Sequence, residues 1–209
     1  MLISASFLSS KDIGRDLRVL NDTDVDFIHV DIMDGTFVKN KTMPFKEMRN
    51  IYRFTSKRLD VHLMVKKPEK LIPKYATLNT EYITFHIESG TDIIKCLELI
   101  KKYAIKCGLA ISPDTEVKEL VPYLPLLDLI LVMSVYPGEG GQEFIKDTKK
   151  KIEELRKLLK EHNSNALISV DGGINDKSCK NCKKADILVA GSYITNSDHF
   201  QEKIDSLRK

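Results

Sequence analysis

Eight short, mostly apolar runs recur along this chain, separated by stretches with the pattern of helices and turns. They are LISAS (2–6), FIHVDIM (27–33), LDVHLMV (59–65), YITFHI (82–87), KCGLAIS (106–112), LDLILVMSV (127–135), ALISVDG (166–172) and ADILVAG (185–191). Without strict apolar–polar alternation, such runs fit strands buried on both faces, as in a parallel sheet. Eight strand-then-helix units imply an α/β fold, and eight is the number that closes a (β/α)8 TIM barrel. An open doubly wound sheet would usually carry G-x-G-x-x-G after its first strand, whereas here no glycine precedes Gly14. No linker, low-complexity tract or repeat divides the chain, so residues 1–209 are expected to form one barrel domain.

Helices are expected between the runs. In 146–162, Ile152, Leu155, Leu158 and Leu159 form one apolar stripe. Ile93, Ile94, Leu97 and Ile100 form another, beginning just past Gly90 and Thr91. Pro44 and Pro68 stand where first helical turns would begin.

Composition excludes several function classes. Thirty-three Lys and Arg against thirty Asp and Glu leave a net charge of +3, which gives no support for nucleic-acid binding. No window approaches the roughly 18 apolar residues of a membrane span, and MLISASFLSS lacks a signal peptide's basic and apolar regions. Four scattered cysteines do not make a disulfide scaffold, so a reducing cytoplasm is the expected location. Cys179 and Cys182 form a C-x-x-C without a second pair, and read as two reduced helical cysteines.

In a barrel, function gathers at the carboxyl ends of the strands. Those ends carry Ser6; His29, Asp31, Met33 and Asp34; His62 and Met64; His86 and Glu88; Met133 and Ser134; and Asp171. His29 and Asp31 are two apart on a strand and point to the same side. If that side is the lumen, His62 and Asp171 can converge on them. Two imidazoles and two carboxylates suit Zn, Fe(II), Mn or Co, and His86 is an equally placed fifth candidate. PGEGG (137–141), DGG (171–173) and GS (191–192) follow the last three strands. Each alone is an ordinary turn; together they fit the backbone-amide anion site that barrels often build there.

FIHVDIMDGTFVKN (27–40), LDVHLMV (59–65), MSVYPGEGGQEF (133–144), SVDGGI (169–174) and VAGSYI (189–194) resemble, in order, the ribulose-phosphate 3-epimerase family. With SASFLSS near the start, the resemblance spans nearly the whole chain. It implies a (β/α)8 barrel that epimerises C3 of a ketose phosphate, using one divalent metal ion and no organic cofactor. By position, His29, Asp31, His62 and Asp171 match the family's metal ligands, and Asp31 and Asp171 also match its acid/base carboxylates. His62 and Ser6 match substrate contacts, and Met33, Met64 and Met133 correspond to methionines lining the site. Gly138, Glu139, Gly140 and Gly141, then Gly172 and Gly173, then Gly191 and Ser192 match the phosphate-binding loops. His86 has no ligand role in the family. A small-molecule sugar phosphate is the implied partner, and a homo-oligomer the implied assembly.

Some residues depart from the family's pattern. Ala5 and Lys39 replace prolines, KTMPF (41–45) is a residue short, Glu139 stands where an aromatic is common, and Tyr193 replaces a small residue. The leading expectation is interconversion of D-ribulose 5-phosphate and D-xylulose 5-phosphate, with D-allulose 6-phosphate 3-epimerisation as the alternative. A phosphate-barrel decarboxylase would resemble D-x-K-x-x-D, but Asp60 is followed by Val61 and His62. A non-catalytic sugar-phosphate binder would need no carboxylate pair.

Overall fold

The computed structural model describes residues 1–208. Each apolar run forms a strand: β1 (Leu2–Ser6), β2 (Phe27–Met33), β3 (Leu59–Met64), β4 (Thr80–His86), β5 (Lys106–Ile111), β6 (Leu129–Met133), β7 (Leu167–Asp171) and β8 (Ile187–Ala190). All pair in parallel in chain order. The sheet closes where β8 meets β1, from Leu2↔Ile187 to Ala5↔Ala190.

Strand parity divides the core. Ile28, Val30 and Ile32 of β2 join Val61 and Leu63 of β3 in a large apolar shell. The alternate residues of those strands therefore face the lumen. There Tyr82, Leu129 and Ile187, flanked by Leu2, Phe27 and Leu167, plug the amino-terminal end. The lumen is tight: a Cβ on Gly108 would run into the side chain of Thr84, its paired neighbour on β4. Apolar residues close one end, leaving the polar strand ends at the other.

The helices are α1 (Ile13–Asn21), α2 (Phe45–Met48), α3 (Ile72–Tyr75), α4 (Ile93–Lys102), α5 (Thr148–Glu161), α6 (Ser192–Thr195) and α7 (Phe200–Leu207). The eight expected strands close the barrel with helices between them, and the difference lies in the type of two connections. After β5 and β7 the connections carry only 3₁₀ turns, Val117–Leu126 and Ser178–Asn181. Pro122 and Pro125 lie inside the first, where missing N–H groups and ring clashes exclude an α-helix. α5 buries Ile152, Leu155 and Leu159, with Leu158 half-buried at the stripe's edge. In α4 the buried residues are Cys96, Leu97 and Ile100, while Ile94 is 47% exposed and so is not part of the stripe. Asp92 caps this helix by accepting from the Lys95 N–H at 3.2 Å.

All four cysteines are free. Among the described residues no helix is long and apolar enough to cross a membrane.

Candidate active site

The β2–β3 register sets Asp31 beside His62 and His29 beside Asp60. From across the lumen, β7 contributes Asp171. One ligand atom from each of His29, Asp31, His62 and Asp171 lies within 4.8 Å of the others. His29 Nε2 is 3.3 Å from Asp31 Oδ1 and 3.8 Å from Asp171 Oδ2. His62 Nδ1 is 3.1 Å and 3.7 Å from the same two oxygens. Donors about 2.1 Å from a tetrahedral ion lie about 3.4 Å apart, so these spacings fit one small divalent cation. The polar environment fits too: His29 Nε2 is buried and has no hydrogen-bond partner, which is costly unless something accepts its lone pair.

Behind each imidazole stands a further polar group. His29 Nδ1 lies 2.8 Å from Asp60 Oδ2, which also accepts from Ser4 Oγ at 2.9 Å. His62 Nε2 lies 2.9 Å from His86 Nε2, and His86 Nδ1 lies 2.9 Å from Glu88 Oε2. His86 therefore stands behind His62 and outside the four-donor group. Sequence reasoning missed Asp60, although the D-x-H-x-M parity of β3 puts it on the lumen side with His62 and Met64. Ser6 Oγ donates to Asp31 Oδ2 at 2.9 Å.

The two carboxyls are driven apart. Burial pushes Asp31 up, but the His29 imidazole and the His62 hydrogen bond outweigh it and hold Asp31 well below the usual range. Asp171 is raised to about 7 by burial, with Asp31 and Asp60 adding to the rise and His29 opposing it. For His29 burial also opposes, yet Asp31 and Asp60 raise it well above 6.5. Burial lowers His62.

Above these groups opens a cavity of about 660 Å³. Its lining includes Ser6, Asp31, Asp171 and the side chains of Met33, Met64 and Met133. The opposite wall includes Gly138, Gly140, Gly141, Gly172, Gly173, Gly191 and Ser192, which brings the three glycine segments together. Glu139 is exposed at the rim, and its carbonyl accepts from Gln142 Nε2 at 2.9 Å. Tyr193 directs its hydroxyl 2.9 Å from Ser206 Oγ on α7. Ser134 Oγ donates to the carbonyls of Asp171 and Gly172 at 2.8 and 2.6 Å, fixing the end of β7. The segment after β2 reaches over the rim, where Asn40 Nδ2 donates to the Gly138 carbonyl at 2.8 Å.

Carboxylates separated in acidity, set among possible metal donors at the carboxyl end of a parallel barrel, are the equipment of a barrel isomerase. A model described as the Ribulose-phosphate 3 epimerase family matches residues 2–195. Ribulose-phosphate 3-epimerase of Chlamydia pneumoniae is 39% identical over 202 residues, covering 94% of this chain and 88% of that protein. The Helicobacter pylori (strain J99) protein of the same name is 34% identical over 210 residues, covering 100% and 97%. The chain belongs to the ribulose-phosphate 3-epimerase family, whose members are carbohydrate epimerases of the isomerase class. Its fold is also similar to a mutant tryptophan synthase α-subunit from Pyrococcus furiosus (TM-score 0.70, 14% identity, 99% of this chain and 97% of that one), a likeness of fold alone.

Proposed function

We propose that this enzyme interconverts D-ribulose 5-phosphate and D-xylulose 5-phosphate, with Asp31 and Asp171 as its proton carriers. The observation that carries the reading is the meeting of these two carboxylates, from strands three apart around the barrel, beneath a glycine-walled cavity. Inverting a carbon beside a ketone requires a proton to leave one face and another to arrive on the opposite face. A single fixed group reaches only one face. Asp31, held ionised, is ready to accept the C3 proton; Asp171, raised to about 7, can carry the one returned. The roles exchange when the reaction runs backwards.

His29, Asp31, His62 and Asp171 would hold one divalent ion, of the Zn, Fe(II), Mn or Co group. Bound there, it would supply Lewis-acid stabilisation of negative charge on the substrate's oxygens. Ser6 orients Asp31 through its 2.9 Å hydrogen bond. Met33, Met64 and Met133 exclude water from the reacting carbon without offering it a competing proton. The backbone amides of 138–141, 172–173 and 191–192 receive the phosphate, which explains how a chain of net charge +3 binds a dianion without a lysine cluster.

Asp31→Asn and Asp171→Asn should each reduce turnover by orders of magnitude, and near-normal activity in either refutes the two-carboxylate scheme. Chelation should abolish activity and a divalent ion restore it. Rates on the pentulose and on D-allulose 6-phosphate decide the substrate: a strong preference for the hexulose overturns the pentose assignment. Absence of turnover on both would leave a sugar-phosphate binder.

A further inference from the structure

His29 and His62 turn different ring nitrogens toward the four-donor cluster, Nε2 for His29 and Nδ1 for His62. A neutral imidazole offers a lone pair on one nitrogen only when its proton sits on the other. For His29 the assignment is direct. Its Nδ1 faces the Asp60 carboxylate, which only accepts, so Nδ1 keeps its proton and it is Nε2 that gives up its own and offers a lone pair when a cation binds.

His62 has no carboxylate behind it. Its Nε2 faces His86 Nε2 at 2.9 Å, and of two imidazole nitrogens so close one must donate and the other accept. Which one donates is decided one residue further out. His86 Nδ1 faces Glu88 Oε2 at 2.9 Å. Ionised Glu88 only accepts, so His86 carries its proton on Nδ1 and presents a lone pair at Nε2. His62 must then donate from Nε2, so a cation in the cluster finds the lone pair on Nδ1, in place of the proton that Asp31 Oδ1 at 3.1 Å would otherwise draw there. Glu88 is itself anchored: its Oε1 accepts from the Ser112 backbone N–H at 2.8 Å and from the Thr115 hydroxyl.

We propose that Glu88 is a positioning residue that sets the tautomer of His62 through His86, so that His62 offers Nδ1 to the divalent cation. This rests on reading the four donors as a metal site; without an ion the Asp31 carboxylate competes for a proton on His62 Nδ1, so the tautomers are read on the chain loaded with Zn(II). The Ser112 N–H cannot reverse its direction. In Glu88→Gln the amide oxygen must therefore stay on Ser112, and the NH₂ must face His86 Nδ1. That forces His86 to accept at Nδ1 and to donate from Nε2. His62 then accepts at Nε2 and carries its proton on Nδ1, pointing into the cluster.

Long-range ¹H–¹⁵N correlation spectra of the full-length, Zn(II)-loaded chain, labelled at histidine, read these protons directly. The wild type should show His62 protonated at Nε2 and His86 at Nδ1, and Glu88→Gln should show both inverted. Competition for Zn(II) against a chromophoric chelator should give affinity weakened ten- to a hundredfold in Glu88→Gln, with thermal stability changed little. A purely structural role would lower stability and leave the tautomers alone. Wild-type spectra with the opposite protonation overturn the proposal even if the variant does not fold, and so does a folded Glu88→Gln that keeps the wild-type tautomers. A wild type that takes up no Zn(II) would remove the metal reading, whereas one that binds Zn(II) with His86 protonated at Nε2 would overturn the relay alone.

Discussion

Gly141 and Gly173 share a conformation and differ in what surrounds them, so the same substitution at both separates two physical effects. Their φ angles are +76° and +62°, in the left-handed region. Alanine there costs about 1–2 kcal/mol at either site. Around Gly141 an added Cβ meets nothing within 4 Å, so Gly141→Ala should lose that amount alone. At Gly173 the same Cβ would lie 2.5 Å from the Phe144 backbone nitrogen, 2.8 Å from the Gln142 carbonyl oxygen and 2.9 Å from Phe144 Cα. All three are main-chain atoms, so relief requires the whole segment to move, adding about 1–3 kcal/mol as overpacking does. In a protein of this size each kcal/mol shifts Tm by about 2–4 °C. Gly173→Ala should therefore melt about 2–12 °C below Gly141→Ala in thermal unfolding followed by circular dichroism. It should also raise KM for the sugar phosphate, because the displaced residues form part of the cavity wall. Equal melting temperatures would refute the close-approach argument.

Asn40→Ala removes the bridge to the Gly138 carbonyl; at about 1 kcal/mol for a neutral hydrogen bond, KM should rise about fivefold with little change in Tm, and an unchanged KM would deny the contact a role in holding substrate. Ser134→Ala deprives the Asp171 and Gly172 carbonyls of a buried donor, so stability should fall by about 1–3 kcal/mol and kcat should drop more than KM rises; a KM-only effect would count against its role in fixing Asp171. Burial lowers His86 to about 4, and Glu88 is held down to about 2 by His86, Thr115 and Ser112 against the effect of its own burial. The unfolded chain thus binds more protons than the folded one at His86 between pH 6.5 and 4 and at Glu88 between pH 4.5 and 2. Asp171, raised to about 7, works the other way between pH 7 and 3.8, because the folded chain takes up that proton first. In an Asp171→Asn background, which removes that opposing uptake, stability should decline from pH 6.5 to 4, and a flat Tm there in chelator would contradict the buried state of His86.

The strands were legible because a strand buried on both faces must be apolar along its length, and turn residues bracket each run. Once eight were counted, barrel closure followed, and parity on β2 and β3 put His29, Asp31 and His62 on one side. Asp171 is the residue whose placement depends most on closure, since only the complete ring brings β7 opposite β2. Less was legible in the connections. Val117–Leu126 contains apolar residues at intervals a helix would use, yet its two prolines turn it into 3₁₀ structure. In the sequence Asp60 stands out only against a decarboxylase pattern, because nothing in its own neighbourhood announces that it faces a histidine on the preceding strand. Glu88 is legible as a strand-end acid, but its link to His86 depends on the 3₁₀ turn Ile87–Ser89 that follows β4.

The seam between β1 and β8 has a consequence for how the enzyme comes into being. Leu2, in the first strand of the barrel, has its partner in Ile187, in the last. Until that strand emerges, the nascent sheet keeps two bare edges, each able to recruit a foreign strand. The entropy of bringing such distant segments together delays the final step. A chain that stops short of β8 carries His29, Asp31, Asp60, His62 and Asp171, but it lacks Gly191 and Ser192 and has no closing strand to hold β7 across the lumen from β2. Catalytic competence therefore arrives with the last strand rather than growing with length, and translation that stops short of β8 yields an incomplete barrel with no site to salvage.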